Sequence, residues 1–129
     1  FSNTRSVVEL ALAEIIMLIR NIPDKSSRMH QGVWDKSAAG SFEIRGKKLG
    51  IIGYGNIGTQ LSVLAENLGM NVLYYDREEK LALSNATKCK SLKDLLTQSD
   101  IVSLHVDGRE SNKHLIGKEE FDLMKKGVI

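Results

Sequence analysis

Lys48-Leu49-Gly50-Ile51-Ile52-Gly53-Tyr54-Gly55-Asn56-Ile57-Gly58 joins an apolar, strand-like run to a G-x-G-x-x-G turn, and a helical pattern follows it. Three glycines at this spacing have three separate tasks. Gly53 permits a tight turn out of the strand, Gly55 lets a backbone approach a pyrophosphate with no side chain between, and Gly58 lets the helix pack close to the strand. Asn56 and Ile57 then fall at a helix N-terminus, where unpaired N–H groups and the positive end of the helix dipole favour a diphosphate.

Such a turn is weak evidence alone, and its surroundings make it specific. Ile57, Leu61, Leu64, Ala65 and Leu68 recur at helical spacing, and Gly69 stands where a left-handed C-terminal cap is wanted. A second apolar run, Asn71-Val72-Leu73-Tyr74-Tyr75, ends at Asp76, 18 residues beyond Gly58. An acid about 20 residues past the turn accepts hydrogen bonds from the adenosine ribose hydroxyls, and its charge repels a 2′-phosphate. The pattern therefore points to a dinucleotide, NAD in preference to NADP. Arg77 runs against that preference, since an arginine there suits a 2′-phosphate; its other reading is a solvated surface charge.

Outside the turn, short strands and helices alternate. Ser6-Val7-Val8-Glu9 has capping-box spacing, so a helix is expected from there to about Arg20, ended by Pro23. Its apolar residues cover more than one face, which implies a second burying surface in a subunit partner, another domain or the core itself. Asp24 to Gln31 suits a short second helix. Gly32 to Ser41 has no period and reads as a surface segment carrying the only Trp, Trp34, which is either an interface anchor or a residue folded back on the domain. Glu78 to Lys90 reads as irregular or partly extended. Ser91-Leu92-Lys93-Asp94 opens a short helix through Gln98, Ile101 to Val106 is a buried strand, and Lys118 to Lys125 is a helix closed by Gly127. The expected fold class is α/β, a doubly wound parallel sheet with helices on both faces.

Composition narrows the partners. The 129 residues fit one domain, and 42% hydrophobic with 26% charged residues is ordinary for a globular core. Eighteen basic against 16 acidic residues leave +2 with no dense basic block, so nothing argues for nucleic acid. The apolar run Val7 to Ile19 is broken by Glu9 and Glu14 and is too short to cross a bilayer, so no membrane partner is expected either. The single cysteine, Cys89, excludes an intramolecular disulfide and suits a reducing cytoplasm. His30, His105 and His114 match no usual metal spacing, so no metal is expected. His105 falls at a strand end, the edge where doubly wound sheets bind ligands; lining the cofactor site and closing the strand by ordinary hydrogen bonding both remain open. No Met precedes Phe1, and Gly127-Val128-Ile129 reads as a helix stop and the first two residues of a strand, so a piece of a longer protein is expected.

Taken together, Asn3 to Leu10, Gly32-Val33-Trp34, Ala39 to Glu43, Gly46 to Leu61 and Ser99 to Val106 resemble the D-isomer-specific 2-hydroxyacid dehydrogenases. The resemblance covers essentially the whole chain. It implies a Rossmann-like NAD-binding domain over 1–129, partial and truncated before its end, inserted in the parent between two halves of a substrate-binding domain absent from this chain. Cofactor-binding positions carried over are Gly53, Tyr54, Gly55, Asn56, Ile57, Gly58 and Asp76, with the His105-Val106 backbone near the strand edge. The family dimerises through this domain, which would account for the first helix and the Trp34 loop. Two positions depart from the family pattern, Asp107 and Lys126, where prolines are usual; Asn112 and Leu115 keep the family spacing. The family's substrate-binding arginine, histidine base and orienting glutamate fall beyond Ile129, so no catalytic residue is expected in this chain and the chain alone is expected to be inactive. The resemblance, whose most telling part is Ala39 to Leu61, implies 3-phosphoglycerate as the small-molecule substrate, oxidised to 3-phosphohydroxypyruvate at the entry to serine biosynthesis. A glyoxylate, hydroxypyruvate or lactate dehydrogenase, an NAD-sensing corepressor and a methyltransferase are the rival readings.

Overall fold

The computed structural model describes residues 3–106 and 115–129. Asp107, Asn112 and His114 lie outside the described residues. Four parallel strands, β1 (Lys48–Ile52), β2 (Asn71–Tyr75), β3 (Thr87–Lys88) and β4 (Ile101–Leu104), form one sheet in the order β3-β2-β1-β4. This is the order of a mononucleotide-binding half of a doubly wound fold. Helices α1 (Thr4–Ile19), α2 (Ile22–His30), α3 (Asn56–Asn67), α4 (Leu92–Gln98) and α5 (Lys118–Leu123) complete the described elements.

Strand alternation sends side chains to two cores. Leu49 and Ile51 of β1 with Val72 and Tyr74 of β2 pack against Val8, Ile15 and Ile19 of α1 and Leu61 and Ala65 of α3. Ile52 and Leu73 face the other way, onto Cys89 and onto Leu95 and Leu96 of α4, with Leu123 of α5 at the margin. Burial pushes the Cys89 thiol up, and Asp94 adds to the effect, so the thiol is a core group.

Several ends differ from expectation. Helix α1 starts at Thr4 with Asn3 at its N-cap, which puts Ser6 inside the first turn, so no capping box forms there and the Glu9 carboxylate pairs with Arg5 at 2.8 Å. Pro23 does not end α1. Asn21, in a left-handed conformation (φ 55°), breaks the chain, and Pro23 falls in the first turn of α2, where its missing N–H costs nothing. Helix α5 stops at Leu123, two residues short of expectation, and Gly127 (φ +84°) makes a separate turn beyond extended Met124. Strand β4 ends at Leu104, so His105 and Val106 lie just past it. Val128 and Ile129 form no strand of the sheet, although Ile129 donates its N–H to Asp100 O at 3.2 Å and accepts from Val102 N–H at 2.8 Å.

Other readings meet their expected places. Ser91 Oγ accepts from Asp94 N–H at 3.2 Å and caps α4. Gly69 is left-handed (φ +87°) after α3. The 78–90 stretch is irregular apart from β3. Trp34 is 69% exposed with the Lys36 ammonium 4.1 Å over its ring, and Leu10 and Leu18 of α1 are exposed. Among the described residues no helix is long and apolar enough to cross a membrane.

Candidate cofactor site

Parallel strands β1, β2 and β4 release their chains at the same edge of the sheet, and a cleft of about 440 Å³ opens there. Its lining includes Ile52, Gly53, Gly55 and Asn56 from the first crossover, Tyr75 to Glu78 and Lys80 from the end of β2, and His105, Val106 and Leu115.

The glycines are needed for three different spatial reasons. At Gly53 (φ +94°) an added Cβ would sit 2.4 Å from the carbonyl oxygen of His105, so the turn packs directly on the chain leaving β4. At Gly58 it would sit 2.2 Å from the carbonyl oxygen of Gly53, which brings α3 against the turn. At Gly55 it would meet nothing within 4 Å and would stand in the open space of the cleft. Gly55 is also the N-cap of α3, which takes no side-chain cap, so the helix start keeps donors for an anion.

Across the cleft, Asp76 is held by two backbone donors. Tyr54 N–H reaches Oδ2 at 2.8 Å and Glu78 N–H reaches Oδ1 at 2.9 Å. Each oxygen retains a lone pair, so the oriented carboxylate can accept two further hydroxyls.

His105 donates its N–H to Ile52 O at 2.7 Å, and its Nε2 lies 2.6 Å from Ser103 Oγ. Burial holds its imidazole below the ordinary value near 6.5. It lines the cleft and closes the strand by hydrogen bonding, so the two uses coexist. Its ring partner, the Ser103 hydroxyl, brings no charge to the imidazole.

Of the sequence-predicted residues, Gly53, Gly55, Asn56, Asp76, His105 and Val106 line the cleft. Tyr54, Ile57 and Gly58 do not. Tyr54 is 1% exposed and stacks on Tyr74 with ring centroids 3.9 Å apart, while Ile57 packs on the α1/α3 core. Sequence reasoning missed Ile52, Tyr75, Glu78 and Lys80. Ile52 and Tyr75 are the last residues of their strands, a position that marks the ligand edge once the sheet is known to be parallel; Glu78 and Lys80 carried no such signal. Among the described residues, no three His, Cys, Asp or Glu side chains converge on a point.

Residues 12–129 match the family described as D-isomer specific 2-hydroxyacid dehydrogenase, NAD binding domain. The chain belongs to this family. D-3-phosphoglycerate dehydrogenase of Escherichia coli K12 is 59% identical over 129 residues, all of this chain and 32% of that protein. The enzyme of that name from Dictyostelium discoideum is 54% identical over 127 residues, 98% of this chain and 31% of the relative. This chain therefore spans about a third of the length of the curated relatives it matches. The NAD-complexed D-isomer specific 2-hydroxyacid dehydrogenase of Lactobacillus delbrueckii ssp. bulgaricus superposes with a TM-score of 0.87 at 27% identity, covering 97% of this chain and 38% of that one. The cleft fits the cofactor of the 2-hydroxyacid dehydrogenases: Gly55 leaves open space at the start of α3, and Asp76 presents two oriented acceptors.

Proposed function

We propose that this chain is the dinucleotide-binding part of an enzyme that oxidises 3-phospho-D-glycerate to 3-phosphohydroxypyruvate, working as a cytoplasmic homodimer. At the cleft, the start of α3 takes the pyrophosphate through the N–H of Asn56 and, behind the lining, that of Ile57, the Asp76 carboxylate accepts the adenosine ribose hydroxyls, and the His105-Val106 backbone borders the cofactor at the strand edge. NAD, when bound, supplies the hydride acceptor. The chain's own residues bind and orient it, and Gly53 and Gly58 hold the turn in the shape that does so. The substrate-binding arginine, the histidine base and its glutamate are assigned to the part of the family's length that this chain does not span, so no residue here is assigned a catalytic role.

The observation that carries the cofactor reading is the pairing of an open helix start at Gly55 with an oriented carboxylate at Asp76. The substrate reading rests on 59% identity over all of this chain, about a third of the relative's length, to a protein named D-3-phosphoglycerate dehydrogenase, set against 27% to 36% identity to the 2-hydroxyacid dehydrogenases and a pyruvate reductase of known structure. The exposed apolar residues of α1 and Trp34 support the homodimer, which sedimentation equilibrium checks. Titration with NAD and NADP tests the site: tighter NAD binding is expected, and tighter NADP binding sinks the reading. Incubation with 3-phosphoglycerate and NAD is expected to give no NADH, and turnover by this chain would show that the chemistry has been misplaced.

A further inference from the structure

The wall of the cleft beyond Asp76 is an irregular segment, yet Arg77, Glu78 and Lys80 from it line the site. An irregular segment needs anchors to keep one shape. Two buried tyrosines supply them. Tyr54 Oη donates to Ser62 Oγ at 3.1 Å and accepts Leu83 N–H at 3.2 Å, and Tyr74 Oη donates to Lys80 O at 2.8 Å. Both rings are about 1% exposed and stacked at an interplanar angle of 18°, so neither hydroxyl can swing away without disturbing the core. Tyr54 holds the segment twice, because its backbone N–H also fixes Asp76. A single residue of the glycine turn thus ties down the start of the segment at Asp76 and its end at Leu83.

We infer that Tyr54 and Tyr74 are positioning residues for the cofactor: their buried hydroxyls hold the 77–83 segment as the fixed wall of the cleft on the Asp76 side. This rests on the cleft being the NAD site. It also explains why Tyr54 belongs in the turn although its side chain never faces the ligand.

The test uses the whole chain with NAD and with ADP-ribose, which lacks only the nicotinamide. Tyr54→Phe and Tyr74→Phe keep the ring stack and remove one anchor each. Ser62→Ala is the control, since it removes the other partner of the Tyr54 hydroxyl without touching the segment. The dissociation constants for NAD and ADP-ribose are expected to rise together by about five- to tenfold in each phenylalanine variant, the worth of one hydrogen bond. Ser62→Ala is expected to lower the melting temperature while leaving both constants unchanged. Equal losses in Ser62→Ala and Tyr54→Phe, or unchanged constants in both phenylalanine variants, overturn the inference and leave the NAD site standing. A parent chain that binds neither ligand overturns the site reading and the inference with it. If one phenylalanine variant does not fold, the other decides by the same comparison.

Discussion

Tyr54 and Asp76 lie 22 residues apart in sequence and are joined by a 2.8 Å hydrogen bond from the Tyr54 N–H to Oδ2. The bond links the first crossover to the end of β2, and with the Glu78 N–H on Oδ1 it sets the plane of the carboxylate. The glycine turn and the distant acid therefore form one construction, in which the turn orients the acid that completes the site.

Removing that charge should change cofactor choice. Asp76→Ser loses an ionised acceptor of ribose hydroxyls, and charged hydrogen bonds contribute about 1.5–3 kcal/mol, so NAD affinity should fall at least about tenfold. With Arg77 beside it and no acid to repel a 2′-phosphate, NADP should lose much less. Parallel fluorescence titrations measure both. Equal losses for the two cofactors would count against a ribose-binding role.

Gly53→Ala should injure the fold itself. It imposes a side chain at φ +94° and sets a methyl 2.4 Å from the carbonyl oxygen of His105, which is backbone and cannot turn aside. Strain of this kind costs on the order of 1–3 kcal/mol before the clash is added, so urea unfolding should show a loss of at least about 2 kcal/mol. A stability near that of the parent would mean that the turn and the end of β4 are not in contact.

His105 should make stability depend on pH in a stated direction. Burial favours its neutral form, so the folded value lies below the ordinary one near 6.5. The folded state then binds fewer protons than the unfolded state in the interval between the two values. The contribution is complete above about pH 6.5 and is lost as pH falls from there through the lowered folded value. Melting temperatures taken between about pH 7.5 and about pH 5 should decline on acidification, and His105→Gln should flatten that part of the curve. An identical slope in the variant would place the titration elsewhere.

Much of the site was legible because it is local chemistry. The strand, the three glycines, the apolar spacing of α3 and the run ending at Asp76 each declare themselves within a few residues, and the Ser91 cap does the same for α4. What was not legible depends on competition or on distance. The Ser6 capping box failed because the helix starts two residues earlier, at Thr4, and a pattern of spacings does not rank two possible starts. Pro23 suits the start of a helix as well as an end, and the left-handed Asn21 decides between them. Glu78 and Lys80 gave no signal, since the segment that carries them has no period and meets the core through distant partners, the hydroxyls of Tyr54 and Tyr74 in the turn and in β2. That the Tyr54 side chain enters the core while its backbone serves the cleft could be read only from the folded chain.

The central claim is that Gly55 is kept bare for a ligand and not for the fold. Calorimetric titration of Gly55→Ala with NAD, paired with thermal unfolding, tests it most directly. An added Cβ meets no protein atom within 4 Å, and the backbone there (φ −90°, ψ −149°) lies outside the left-handed region, so the melting temperature should stay within a few degrees of the parent's. NAD affinity should nevertheless fall by about tenfold or more, because the methyl fills the space a pyrophosphate needs. A Gly55→Ala variant that binds NAD as tightly as the parent would contradict the account.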